Sequence, residues 1–197
     1  MLIPIRSAFI RGDFVMSYMS NSESSGFLIE GCTKCSALCE SRSRIVNGVG
    51  DMDADVVFVG EAPGKNEDVE GEPFVGRSGS VLDDALEEAG GSREDVRITN
   101  LVRCRPPENR DPLDSEVANC SEYLREELNV VEPEYVVPLG RIPCSYFVDS
   151  DFQITEIAGD IVEFAGFDVV LCMHPAATIY NRELRPVFTD IIDNVIN

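Results

Sequence analysis

The sequence predicts an α/β fold, a three-layer α/β/α sandwich around a short, mainly parallel central sheet. Three observations carry that expectation. From Asp53 onward, short β-branched runs alternate with segments of helical period, the pattern of successive βαβ units. The chain has 197 residues, 44% of them apolar, which is enough for one domain with a real core. Asp and Glu outnumber Lys and Arg by 36 to 16, yet Leu, Ile, Val and Phe are too plentiful for a disordered acidic chain.

Taken in order, residues 1–27 are Ser/Asn-rich after Met19 and read as an irregular N-terminal arm, with Met16 and Met19 as alternative starts. Residues 28–197 read as a single domain. Residues 56–59 are a β-branched run ending in Gly60, a strand. Over 78–89, Val81, Leu82, Ala85, Leu86 and Ala89 recur at helical spacing. Residues 96–100 form the next strand, 115–128 a helix after a Pro-rich loop, and 135–139 a strand closed by Gly140. The remainder reads as a short helix over 142–148, a pair of edge strands over 154–164, a buried strand over 169–173 and a closing helix over 185–195. In open α/β sheets ligands sit beyond the carboxyl ends of the strands. Three such ends carry Gly60-Glu61-Ala62-Pro63-Gly64, Thr99-Asn100 and His174-Pro175, and these loops are expected to converge.

No apolar run approaches the ~18 residues of a membrane helix and no basic segment leads into a signal core, so a cytoplasmic protein is expected. The formal charge is −20, with 14 arginines but only Lys34 and Lys65 as lysines, a pattern expected of a salt-loving cell. High salt screens the self-repulsion and also weakens phosphate contacts, so acidity does not exclude nucleic acid. Seven cysteines in such a chain favour metal ligation or redox chemistry over disulfides. Cys32 and Cys35 form a C-x2-C pair, and Cys104 and Cys120 flank the Pro-rich loop. Four such thiolates suit tetrahedral zinc or a [4Fe-4S] cluster, and the ligand set does not separate the two. Cys144 and Cys172 lie in apolar stretches and read as small buried hydrophobes; Cys39 has no assignment. A thiol-redox role fails on placement, because the C-x2-C precedes the first strand instead of opening a helix after one.

The segment Gly60-Glu61-Ala62-Pro63-Gly64-Lys65-Asn66-Glu67-Asp68, followed by Gly71-Glu72-Pro73-Phe74-Val75-Gly76-Arg77-Ser78-Gly79, resembles the first motif of the family 4 uracil-DNA glycosylases. Thr99-Asn100, Cys104-Arg105-Pro106-Pro107-Glu108-Asn109-Arg110, Cys120, the strand end Val137-Pro138-Leu139-Gly140 and His174-Pro175-Ala176-Ala177 follow in the family's order. The resemblance spans roughly 31–197. It implies a DNA-repair hydrolase that acts on uracil in single- or double-stranded DNA and leaves an abasic site. It further implies a structural [4Fe-4S] cluster on Cys32, Cys35, Cys104 and Cys120, in preference to zinc, and no nucleotide cofactor. A monomer without membrane association is expected, recruited by a sliding clamp or polymerase. The alternative is a non-catalytic iron-sulfur or zinc DNA-binding module. Two features depart from related patterns. After His174-Pro175-Ala176-Ala177 the chain has Thr178-Ile179-Tyr180-Asn181-Arg182 where the family is usually Leu-rich, which bears on the side chain that wedges into DNA. Ala62 stands where better-known glycosylases carry a carboxylate, and where a branch that bonds covalently to DNA carries Gln.

The resemblance and the chemistry of the reaction assign roles. The base must be flipped into a pocket that stacks its ring and reads its edge, with Phe74 as the stacking residue. Asn100 accepts from uracil N3–H and donates to O4, a pattern that cytosine reverses. His174, the one histidine of the chain, donates to O2 and stabilises the departing anion, a role worth about 2.7–4 kcal/mol. Glu61, Ala62 and Gly64 shape the pocket, while Glu67, or its neighbour Asp68, orients the attacking water or stabilises the cationic sugar. Phosphate contacts are expected from the stretch holding Arg97, Arg103, Arg105 and Arg110 against Glu108, and from Arg77, Arg182 and Arg185. Ile179 is the wedge candidate.

Overall fold

The computed structural model describes residues 7–10, 15–19, 26–149 and 151–197. In chain order its elements are β1 (Ser7–Ile10), β2 (Val15–Met19), β3 (Gly26–Glu30), α1 (Ser36–Ser41), β4 (Val49–Gly50), β5 (Val56–Gly60), α2 (Lys65–Glu70), α3 (Arg77–Glu88), β6 (Arg97–Asn100), α4 (Asp114–Val131), β7 (Tyr135–Pro138), α5 (Arg141–Phe147), α6 (Ile154–Ile157), β8 (Ile161–Phe164), β9 (Phe167–Val170), α7 (Pro175–Tyr180) and α8 (Arg185–Ile196).

The main sheet has the order β4-β6-β5-β7-β9-β8. Its four central strands are parallel, and antiparallel β4 and β8 close its edges. Because successive side chains of a strand face opposite sides, β5 feeds two cores. Val57 and Val59 join Val136, Leu171 and the apolar faces of α1, α4 and α5, while Val56 and Phe58 join Ile98, Val137, Cys172 and the faces of α3 and α8. Covered on both sides, β5 and β7 have no use for polar alternation, which is why they read as unbroken apolar runs. The observed architecture is the expected three-layer α/β/α sandwich with a mainly parallel sheet.

Two elements differ from expectation. Residues 154–164 begin with the short helix α6, and β8 pairs instead with β9, Phe164 opposite Phe167; Ile154 and Ile157, three apart, share one face of a helical turn but would face opposite sides of a strand. Part of the arm expected over 1–27 lies outside the described residues. The arm's β1 and β2 form a separate antiparallel sheet with β3, which crosses the expected boundary at 27, and Phe9, Ile10, Val15 and Tyr18 are residue types that favour strands. Among the described residues no helix is long and apolar enough to cross a membrane.

Candidate active site

Chain order reverses around β5: the chain passes from β5 to β6 on one side, then through α4 to β7 on the other. That reversal opens a crevice at the carboxyl ends of the strands. The segment after β5 is tied to the segment after β6 by Leu101 N–H to the Gly60 carbonyl (2.8 Å) and Val102 N–H to the Glu61 carbonyl (2.9 Å). Gly140, after β7, donates to the Cys172 carbonyl at 2.9 Å, which brings the His174 turn alongside. The three loops meet around a cavity of ≈ 230 Å³ lined by Glu61, Ala62, Gly64, Glu67, Phe74, Ser78, Asn100 and His174. Every residue expected to act on or contact the base is in this lining. Ser78 was not singled out; it lay inside the recognised motif but carries no charge or ring to draw notice.

Two glycines permit the approach of these groups. A Cβ on Gly60 would stand 2.3 Å from Asn100 Oδ1 and 2.5 Å from the Phe74 ring, and one on Gly79 would stand 1.7 Å from the Phe74 carbonyl oxygen. Phe74 itself has φ 56°, a left-handed conformation that costs a bulky residue about 1–3 kcal/mol and persists only when its surroundings enforce it. Arg93 supplies the enforcement: its guanidinium donates to the Pro73 carbonyl (3.0 Å) and the Phe74 carbonyl (2.7 Å), and it pairs with Asp83 at 2.9 Å. The Phe74 ring, 7% exposed, faces the His174 ring at 6.0 Å between centroids and 26° between planes.

His174 caps the N-terminus of α7, its Nδ1 accepting from Ala176 N–H at 3.2 Å. A neutral imidazole that accepts at Nδ1 carries its proton on Nε2. Burial holds its pKa below the ordinary value, against the opposing pull of Glu67, so the ring is a neutral Nε2–H donor. Asn100 ends β6 directly beside Gly60 and is 4% exposed. Glu61 is the perturbed carboxyl of the cavity: burial, reinforced by Asp111 and opposed by Arg141, pushes it up to about 6. Glu67 accepts from Gly64 N–H (3.1 Å) on one oxygen and from Gly76 N–H (3.3 Å) on the other. It therefore braces both glycine loops while keeping spare lone pairs. Asp68 faces elsewhere: it is buried and accepts from Ser43 N–H at 2.8 Å, so it serves as a brace and is no candidate for handling water.

Half of the cationic stretch expected to meet phosphate, Arg97 and Arg103, faces inward. Arg97 and Arg103 are each 1% exposed and cannot reach a phosphate. Both pair with the fully buried Glu127 of α4, Arg97 at 2.7 Å, while the second oxygen of Glu127 also accepts from Thr99 at 3.0 Å. Arg110 forms a two-pronged pair with Glu116 at 2.7 and 2.8 Å, and Arg185 pairs with Glu88 at 2.7 Å. Arg105 is half-buried and donates to Asn109 at 2.7 Å. Arg77 and Arg182 are exposed, as is Lys65 beside the cavity loop. Ile179 is half-buried, whereas the adjacent Tyr180 is 86% exposed.

The cysteines divide by their hydrogen bonds. Cys32 Sγ accepts from the Tyr123 hydroxyl (3.1 Å), Cys35 Sγ from Asn119 Nδ2 (3.5 Å), Cys104 Sγ from Arg42 Nη1 (2.8 Å) and Cys120 Sγ from Arg103 N–H (3.3 Å). Cys39 and Cys144 instead donate to carbonyls, Cys39 to that of Cys32 and Cys144 to that of Pro138. The four accepting sulfurs are the four expected ligands. Accepting suits a thiolate and donating suits a thiol, so this donor set fits a metal-sulfur group on those four. Among the described residues no three cysteine, histidine or carboxylate side chains form a group that would hold one metal ion.

Residues 47–195 match the family model of the uracil DNA glycosylase superfamily. The chain is 42% identical over 165 residues to a type-4 uracil-DNA glycosylase of Archaeoglobus fulgidus, spanning 80% of this chain and 82% of that protein. A type-4 uracil-DNA glycosylase of Thermotoga maritima is 40% identical over 169 residues, 84% of this chain and 88% of that protein. A type-5 uracil-DNA glycosylase of Pyrobaculum aerophilum is 34% identical over 179 residues, 74% of this chain and 78% of that protein.

Proposed function

The chain belongs to the uracil-DNA glycosylase superfamily, in its type-4 branch, and is a DNA-repair hydrolase that excises uracil; we propose that it does so with the residues of the β5–β6–β9 cavity in the following roles. Uracil flips out of the strand and enters the cavity with its ring against Phe74. Asn100 accepts from N3–H and donates to O4. Cytosine offers an acceptor and a donor at those positions and leaves both amide groups unpaired, at about 1–3 kcal/mol each. As the bond from sugar to base breaks, charge builds on the uracil ring, and the Nε2–H of His174 donates to O2. Braced by Gly64 and Gly76 in the cavity lining, Glu67 keeps spare lone pairs that orient the attacking water, and its carboxylate stabilises the cationic sugar. Glu61, Ala62 and Gly64 shape the walls.

Lys65, Arg77 and Arg182 take the flanking phosphates, joined by Arg105, and the tip of α7 at Ile179 and Tyr180 enters the stack vacated by the base. A [4Fe-4S] cluster on Cys32, Cys35, Cys104 and Cys120 supplies, when bound, a structural cross-link between the segment before α1, the loop after β6 and α4. Residues 28–197 act as a single catalytic domain in a monomer of the cytoplasm that a sliding clamp or polymerase recruits. The acidic, arginine-over-lysine composition fits a salt-rich interior such as that of a halophilic archaeon.

One observation carries the mechanism: a single cavity at the strand ends holds an aromatic ring, an amide and an imidazole whose tautomer is fixed as a donor. Two variants test it by single-turnover excision from an oligonucleotide bearing one uracil. Asn100→Asp replaces the O4 donor with an acceptor that repels it, and excision is expected to fall by about 10²-fold or more while the melting temperature holds. His174→Ala is expected to cost about 10²- to 10³-fold in the rate with DNA affinity nearly intact, because the lost interaction strengthens only as the base departs. An unchanged rate in either variant removes that residue from the mechanism.

A further inference from the structure

The donors that reach the four cysteine sulfurs come with a positive charge that the fold otherwise leaves unbalanced. Arg97, Arg103 and Glu127 form a fully buried group of two guanidiniums against one carboxylate. Arg97 is satisfied by Glu127 and by the Gly50 carbonyl at 3.1 Å. Arg103 is not: its Nε and Nη1 are buried without a hydrogen-bond partner among the described residues. A buried cation left short of partners is costly unless negative charge lies close by. The Arg103 backbone N–H bonds Cys120 Sγ and its Nη2 reaches Glu127, so the side chain runs along the face of α4 from the cysteine to the carboxylate. Arg42 forks between Cys104 Sγ (2.8 Å) and the Cys32 carbonyl (2.6 Å).

We propose that Arg42 and Arg103 are positioning residues for the iron-sulfur cluster, two cations that offset the negative charge of its four thiolates, Arg42 by a charged hydrogen bond to Cys104 and Arg103 as a buried charge beside Cys120. The inference rests on the cluster assignment made above. It also accounts for Arg103, which stands in the cationic stretch of the sequence yet faces inward.

Net charge and hydrogen bonds to the sulfurs set the reduction potential of such clusters, which makes that potential a readout independent of uracil excision. Iron-loaded wild type, Arg42→Gln and Arg42→Lys are compared for iron and sulfide content, melting temperature and potential. Arg42→Gln is expected to make reduction about tenfold less favourable, a shift of ~59 mV to more negative potential for a one-electron couple. Arg42→Lys, which keeps the charge, is expected to recover most of the shift. Arg125→Gln, which removes an exposed charge elsewhere on α4, is expected to move nothing. Arg103→Met shifts the potential the same way if it folds, and the Arg42 pair decides the matter if it does not. A folded, fully loaded Arg42→Gln protein with the wild-type potential overturns the inference and leaves the cluster standing. Wild-type protein without iron overturns the cluster and the inference together, before any variant is compared.

Discussion

At the scale of single residues, the cavity sets two carboxylates against each other. Glu67 has two backbone donors, whereas Glu61 is pushed up to about 6 by burial beside Asp111. A carboxyl whose folded pKa lies above its unfolded value binds more protons in the native state between the two, so its contribution to stability falls as pH rises through that window. Glu61→Gln is therefore expected to be more stable than wild type at neutral pH, with the advantage shrinking as pH drops from about 6 through 4.5. Denaturation of both proteins across that range checks it, and a constant difference would show that Glu61 is solvated. The residues of the cavity were legible in the sequence because Gly60 to Gly79, Asn100 and His174 sit in long local motifs. The donors to the sulfurs were not: Arg42, Asn119 and Tyr123 reach cysteines 62, 84 and 91 positions away, and no local pattern marks them. For the same reason Arg97 and Arg103 were misread as phosphate contacts, since the Glu127 that neutralises them lies 30 and 24 positions along the chain.

At the scale of elements, Glu127 joins β6 to α4 and so links the strand end that carries Asn100 to the helix that carries Cys120. Its carboxylate is held below the ordinary range by Arg103 and Arg97, which outweigh its burial. Removing one partner from a buried ion group strands the others, at a cost of about 3–5 kcal/mol. Glu127→Gln is expected to lose that much stability in denaturant titrations, and a loss below about 1 kcal/mol would mean that water reaches the guanidiniums. The strands β5 and β7 were legible as short β-branched runs bounded by glycine or proline, and the long helices α3, α4 and α8 by their helical spacing. The two-residue β4 and the four-residue α6 are too short for a period to show, and tertiary pairing alone defines them.

At the scale of the whole molecule, a chain of −20 formal charge presents Lys65, Arg77 and Arg182 to solvent while spending Arg97 and Arg103 inside. On the roles proposed above, its approach to DNA depends on those few surface cations and on solvent salt that screens the remaining acidic surface. All parts of the account meet in one event, the release of a free base. Intact iron-loaded protein in excess over an oligonucleotide with one uracil, at low and at molar salt, is the direct measurement, with free uracil and the abasic strand both quantified. The account predicts stoichiometric uracil and an abasic site at the marked position, with no product from the same oligonucleotide carrying cytosine. Folded protein that binds the oligonucleotide and releases no uracil, or that releases cytosine as readily, would contradict it.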